Sequence, residues 1–172
     1  SESVELANSV NRYKTAAYTI ERPLHLGAAI AGASEELIAA FRGYGHDIGI
    51  AYQLRDDQLG VFGDPAVTGK PAGDDLREGK RTELLALALQ RADESDPHAA
   101  ATLRKLIGHT SDPQELSRLA QIIADSGAPE EIERRIDALT RSGLQHLHAA
   151  QVDPAVTEAL EQLAIKATAR RK

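Results

Sequence analysis

The chain has no cysteine, no methionine and no tryptophan. Without cysteine it can form neither a disulfide nor a thiolate zinc site. Aromatic residues are only 3% of it, so aliphatic side chains, chiefly alanine and leucine, must close the core. Both are good helix formers, and a core built from them implies closely packed helices. Positive charge is scarce. Lysine and arginine number 20 against 26 aspartates and glutamates, a net charge of −6. A nucleic-acid binder gains its affinity by neutralising phosphates with excess basic residues, so this balance argues against one. No apolar run approaches the roughly 20 residues that span a bilayer. No signal peptide is visible, and the expectation is a cytoplasmic protein without a transmembrane segment. The absence of methionine and the start at Ser1 lead us to expect a processed or truncated chain.

The 172 residues that are present are 42% hydrophobic and 27% charged, which fits a single globular helical domain over 1–172. The pattern is helical from end to end, and no strand-like alternation is sustained. Leu6 to Ile20 reads as a helix with Leu6, Val10, Tyr13 and Ala17 on one stripe. Pro23 opens a short second helix rich in small residues. Ser34 caps a long third helix expected to run to about Val61. Gly43, Gly45 and Gly49 weaken that helix by about 1 kcal/mol each unless neighbours pack closely there. Residues 63–79 read as a loop broken by Pro65, Gly69, Pro71 and Gly73. Further helices are expected from Thr82 and at about 97–108, 113–126, 129–150 and 154–169. Pro97, Pro113, Pro129 and Pro154 stand at the first helical positions, three of them behind an aspartate cap. Short connections make the helices antiparallel neighbours in a bundle.

The chemistry concentrates between Asp56 and Thr82, in "DDQLGVFGDPAVTGKPAGDDLREGKRT". On a helix, Gln53, Asp56, Asp57 and Gly60 share a face. Two adjacent aspartates repel each other, and a cation removes the repulsion. Magnesium suits them, being a hard ion that takes one or two carboxylates plus substrate phosphates. A bare Asp-Asp pair is more often a solvated helix end, here paired with Arg55. The apolar Tyr52, Leu54 and Leu59 around it, and the loop that follows, favour the metal. That loop carries Lys70 in "TGKP" and Lys80 in "EGKRT", lysines beside glycines that suit diphosphate oxygens. It is not a P-loop. Five residues separate Gly73 from Gly79, and Arg81 stands where Ser or Thr should follow the lysine. It is not an EF-hand either, because the acidic residues do not alternate as that loop requires. The six histidines form no spaced ligand cluster.

"YQLRDDQLGVFGD" and "TGKPAGDDLREGKRT" closely resemble the second aspartate-rich region of the trans-isoprenyl diphosphate synthases, the polyprenyl synthetase family. The wording is most similar to the geranylgeranyl-type synthases of actinobacteria. Upstream, "KTAAYTIERPLHLGAAIAGA" resembles that family's Lys-Thr helix and the segment after it. The resemblance covers about residues 10–85. It implies an all-α antiparallel helical bundle of the isoprenoid synthase type, usually a homodimer. It implies an enzyme that joins an allylic diphosphate to isopentenyl diphosphate with magnesium as cofactor. By position, Asp56 and Asp57 would hold the metal, and Lys14, Lys70 and Lys80 would contact diphosphate oxygens. Thr15 and Gln53 would line the same pocket, and Asp75 would support the loop. Asp56, Asp57 and Lys70 are the residues expected to carry catalysis.

The sequence departs from the family in two ways. The usual motif is Asp-Asp-x-x-Asp, and Gly60 occupies its third position, with Asp64 one turn further as a candidate replacement. On sequence alone, Gly60→Asp would only restore the common motif and should cost far less than Asp57→Ala. The family's first aspartate-rich motif is also not found, since Asp56-Asp57 and Asp74-Asp75 are the only adjacent aspartate pairs. The chain therefore reads as the C-terminal half of a synthase and should be inactive by itself. The alternative is a short non-catalytic subunit that binds and regulates a complete synthase. A terpene cyclase fits worse, because two phenylalanines and no tryptophan give little to steady a carbocation.

Overall fold

The computed structural model describes residues 22–30, 32–64, 66, 69 and 72–169. Over them the chain is all-α, with eight helices and no strand. These are α1 Arg22–Ile30, α2 Glu35–Phe62, α3 Asp74–Glu78, α4 Glu83–Ser95, α5 Pro97–Leu106, α6 Pro113–Asp125, α7 Ala128–Ala149 and α8 Pro154–Thr168. The helix expected over Leu6 to Ile20 lies outside the described residues. Among the described residues no helix is long and apolar enough to cross a membrane.

Local chemistry sets most of the boundaries. Asp96, Asp112 and Asp153 each accept a hydrogen bond from the backbone two residues on, at 3.0, 3.0 and 2.8 Å, with proline opening the helix behind each cap. Ser34 accepts from Leu37 N and Thr82 from Leu85 N, both at 3.3 Å. Each such cap contributes about 1 kcal/mol. Pro129 differs from expectation. Ala128 is the first helical residue, and its N–H donates to Ser126 Oγ at 3.1 Å, so the proline stands second. The stretch read as a continuous loop also holds the five-residue α3, closed at both ends by glycines with positive φ, Gly73 at 70° and Gly79 at 66°. A helix of one and a half turns has too few residues to show a period.

The chain divides into two compact units. One comprises Asp56–Glu133 among the described residues, and the other comprises the residues before Asp56 together with those from Arg134 on. In the first unit α4 packs on α5, α5 on α6, and α3 on α6. Leu84, Ala88, Leu103, Leu119, Ile123 and Ile132 are fully buried in it. Gln58 at the end of α2 donates to the Pro129 carbonyl at 3.0 Å.

The second unit has Phe41, Tyr44, Ile48, Leu147, Leu160 and Ala164 at its centre. Here Gly43 of α2 finds its reason. A Cβ on Gly43 would lie 2.5 Å from Cγ of His146 on α7. In return, a Cβ on Gly143 of α7 would lie 2.9 Å from Ile48 Cδ1. Each helix surrenders a side chain so that the other can approach, and dispersion contacts offset the lost helix propensity. His146 lies 3.7 Å from Asp47, and His148 faces another way, onto Glu161. Arg55 Nε donates to the Thr168 carbonyl at 2.8 Å.

Tyr44 is fully buried and donates its hydroxyl to the Leu160 carbonyl at 2.7 Å. Burial pushes its phenol up to about 12 from the ordinary 10.0. The raised value means that its contribution is complete below pH 10 and is lost as pH rises through 12. At pH 11 the unfolded chain releases this proton and the fold keeps it, at a cost of ~1.4 kcal/mol. Urea unfolding at pH 9 and pH 11 should therefore show a steeper alkaline loss for the native chain than for Tyr44→Phe. Equal slopes would show that Tyr44 titrates normally.

Candidate functional site

The aspartates close the last turns of α2. Asp57 is buried, with 4% of its surface exposed, and Asp56 beside it is half-buried. Gln53, one turn earlier on the same helix, is also half-buried.

The loop returns to this helix through α3. Its first turn carries Asp74 and Asp75, both buried. Asp74 pairs with Arg77 one turn on. Asp75 accepts a hydrogen bond from Lys80 Nζ at 2.5 Å, and its own backbone carbonyl accepts from Lys80 N at 3.0 Å. Lys80 is thus gripped twice by one residue. Its ammonium is held above the usual lysine range, first by the hydrogen bond to Asp75 and further by the charges of Asp75, Glu78 and Asp56, against a desolvation effect that lowers it. It is a cation throughout the neutral range, close enough to Asp56 to feel that charge.

A second contact fixes the turn from below. Gly108 N donates to the Leu76 carbonyl at 2.8 Å, and a Cβ on Gly79 would come within 3.0 Å of Gly108 Cα. Two backbones touch here, and only glycines with positive φ allow it. The hinge between α3 and Lys80 is thereby held against the turn that links α5 to α6.

Of the residues expected to form the site, Asp56 and Asp57 stand side by side at the end of α2, and Lys80 lies close enough to Asp56 for its charge to act on the ammonium. Lys14, Thr15 and Lys70 lie outside the described residues. Asp64 is exposed and accepts a hydrogen bond from Ala66 N at 2.8 Å, the geometry of an aspartate-led turn. What the sequence missed is the neighbour of Gly60. A Cβ built there would meet the carboxylate of Asp75, with Oδ1 at 2.8 Å and Cγ and Oδ2 closer still. Gly60→Asp would therefore require the Asp75 carboxylate to shift aside. The one signal available beforehand was the glycine itself, standing where an aspartate was expected.

Among the described residues no three His, Asp or Glu side chains converge to hold a metal ion alone. Two adjacent carboxylates, one buried and one half-buried, still suit magnesium, which keeps waters and substrate phosphates among its ligands.

The polyprenyl synthetase family model matches residues 3–125. A crystal structure of geranylgeranyl pyrophosphate synthase from Corynebacterium glutamicum, complexed with isoprenyl diphosphate and magnesium, is 61% identical with a TM-score of 0.97. The match covers 99% of this chain and 48% of that one. The geranylfarnesyl diphosphate synthase of Aeropyrum pernix is 47% identical over 91 residues, 52% of this chain and 28% of that protein. The geranylgeranyl diphosphate synthase of Mycobacterium tuberculosis is 45% identical over 76 residues, 44% of this chain and 22% of that protein. The chain spans about half the length of the solved synthase it matches.

Proposed function

The chain belongs to the polyprenyl synthetase family, and from that membership we propose that it forms part of a prenyltransferase of the geranylgeranyl or polyprenyl type. The complete protein condenses an allylic diphosphate with isopentenyl diphosphate, lengthens the prenyl chain and releases pyrophosphate. The observation that carries this reading is the adjacent pair Asp56 and Asp57 at the end of α2, with a lysine, held by Asp75, near enough to feel the charge of Asp56. Carboxylates for a hard cation and a fixed ammonium are what a departing pyrophosphate needs.

In this proposal Asp56 and Asp57 hold magnesium, which neutralises charge on the leaving group when bound. Lys80, with Lys14 and Lys70, binds diphosphate oxygens, while Thr15 and Gln53 line the pocket. As the C–O bond of the allylic diphosphate breaks, its electron pair goes to the pyrophosphate oxygen and the ammonium groups stabilise the growing negative charge. The allylic cation that remains is attacked by the double bond of isopentenyl diphosphate, and loss of a proton completes the longer chain. The same reading takes the complete protein to be a cytoplasmic homodimer.

The test is chain elongation. Incubated with an allylic diphosphate, radiolabelled isopentenyl diphosphate and magnesium, the complete polypeptide should yield a labelled prenyl diphosphate. The 172-residue chain alone should yield none, because its two adjacent aspartate pairs both belong to the second aspartate-rich region. No elongation by the complete polypeptide would refute the proposal, and turnover by the short chain would refute its dependence on the remainder.

A further inference from the structure

The turn that links α5 to α6 is remote from Lys80 in sequence, yet it meets the residue before Lys80 through backbone. Gly108 N donates to the Leu76 carbonyl at 2.8 Å. A Cβ on Gly108 would lie 3.1 Å from Gly79 Cα and 3.6 Å from Gly79 N. Both glycines hold positive φ, 66° at Gly79 and 74° at Gly108. Leu76, whose carbonyl receives the bond, is buried, and α3 also packs against α6. We propose that Gly108 is a positioning residue: the α5–α6 turn fixes the backbone on which Lys80 stands, and so sets where its ammonium meets a substrate diphosphate. This inference rests on the prenyltransferase reading of Lys80.

The turn can serve as a fixed base because its own hydrogen bonds hold it. Ile107 N donates to the Leu103 carbonyl at 3.1 Å, and His109 N to the Leu106 carbonyl at 2.9 Å. Asp112 N donates to Thr110 Oγ1 at 3.1 Å, and the Thr110 hydroxyl donates in turn to the Glu115 carboxylate. Asp112 then caps α6 by accepting from Gln114 N at 3.0 Å. A lysine on a flexible four-carbon stem is placed by the backbone beneath it and by whatever grips its head. Asp75 supplies the grip, and the contact of Gly79 with Gly108 supplies the base. Neither side of that contact is the movable end of a side chain, so no change of rotamer can make room for a Cβ. One backbone must give way, and the residue before Lys80 is one of the two. Small displacements matter here, because a misplacement of about 1 Å can cost on the order of a hundredfold in rate.

The test uses Gly108→Asn in the complete polypeptide. Asparagine tolerates positive φ better than other side chains, so this variant isolates the contact with Gly79 from backbone strain. Gly127→Asn is the control. Gly127 also has positive φ, 71°, in the turn between α6 and α7, but a Cβ there first meets the end of the flexible Arg91 side chain, at 2.8 Å. Chain elongation is measured with each substrate varied in turn, beside thermal melting. Gly108→Asn should raise the allylic KM about tenfold and leave that for isopentenyl diphosphate within about twofold of native. Gly127→Asn should leave both within about twofold. In a Lys80→Ala background, Gly108→Asn should change the allylic KM by less than about twofold, because the group it displaces is gone and changes that act through one group do not add. Three kinetic results would overturn the inference: an unchanged allylic KM in Gly108→Asn, an equal rise in both KM values, or a full multiplication of the Lys80→Ala loss. A Gly108→Asn chain that does not melt cooperatively would overturn it too, by making the contact a requirement of the fold. If the native polypeptide does not elongate prenyl chains, or if Lys80→Ala leaves the allylic KM unchanged, the functional reading of Lys80 fails and this inference with it. If elongation occurs, Lys80→Ala raises the allylic KM and Gly108→Asn does not, this inference alone fails.

Discussion

Replacing Asp57 by asparagine in the complete polypeptide is expected to lower kcat/KM for chain elongation by about 10²–10³-fold, or ~2.7–4 kcal/mol of transition-state stabilisation. Asparagine is the informative substitute because Asp57 is nearly fully buried and the amide keeps its volume. A packing role would survive the exchange. A carboxylate required by a hard cation would not, since the amide oxygen carries no net charge. Asp57→Ala should do no better, as it adds a cavity to the loss of charge. The measurement is steady-state kinetics across a magnesium titration, and the asparagine variant should require more metal to reach its reduced maximum. An Asp57→Asn enzyme within about threefold of the native rate, ~0.65 kcal/mol, would remove Asp57 from the proposed metal site.

Lys80→Ala is expected to have the second largest effect and to show it in two observables. Loss of a charge-assisted hydrogen bond to a diphosphate costs roughly 1.5–3 kcal/mol, which lowers kcat/KM by about ten- to a few hundredfold. The KM for the allylic substrate should rise, and that for isopentenyl diphosphate should change little. Asp75 is also left buried without its ammonium, so the fold should lose about 1–3 kcal/mol. Because pairing raises the lysine above its ordinary 10.5, this stabilisation is complete below pH 10.5 and fades as pH climbs through the raised value. The native chain should therefore lose at high pH a contribution that Lys80→Ala lacks at every pH. An unchanged allylic KM with a lowered melting temperature would leave Lys80 as a structural partner of Asp75 and nothing more.

Much of this architecture could be read before any coordinates, and for a uniform reason. Aspartate caps followed by proline at 96–97, 112–113 and 153–154 are decided within three or four residues, by hydrogen bonds that close locally. The shared face of Gln53, Asp56, Asp57 and Gly60 follows from helix periodicity alone. Family membership was legible because a long run of unusual residues, from Tyr52 to Thr82, carries it. Other features answer to partners far along the chain. His146 over Gly43 and Ile48 over Gly143 reflect two helices about a hundred residues apart, and no window of sequence contains both. Pro129 reads as the first helical residue until Ser126 is seen to take the Ala128 N–H. α3 is too short for any period to reveal, and its glycines read equally well as loop breakers. Gly60 is the clearest division between the two. Its helical face was determined by the sequence, and there it looked like a motif with a residue missing. Only the tertiary structure shows the Asp75 carboxylate in that space, because the return of the chain through α3 depends on packing that local preferences do not encode.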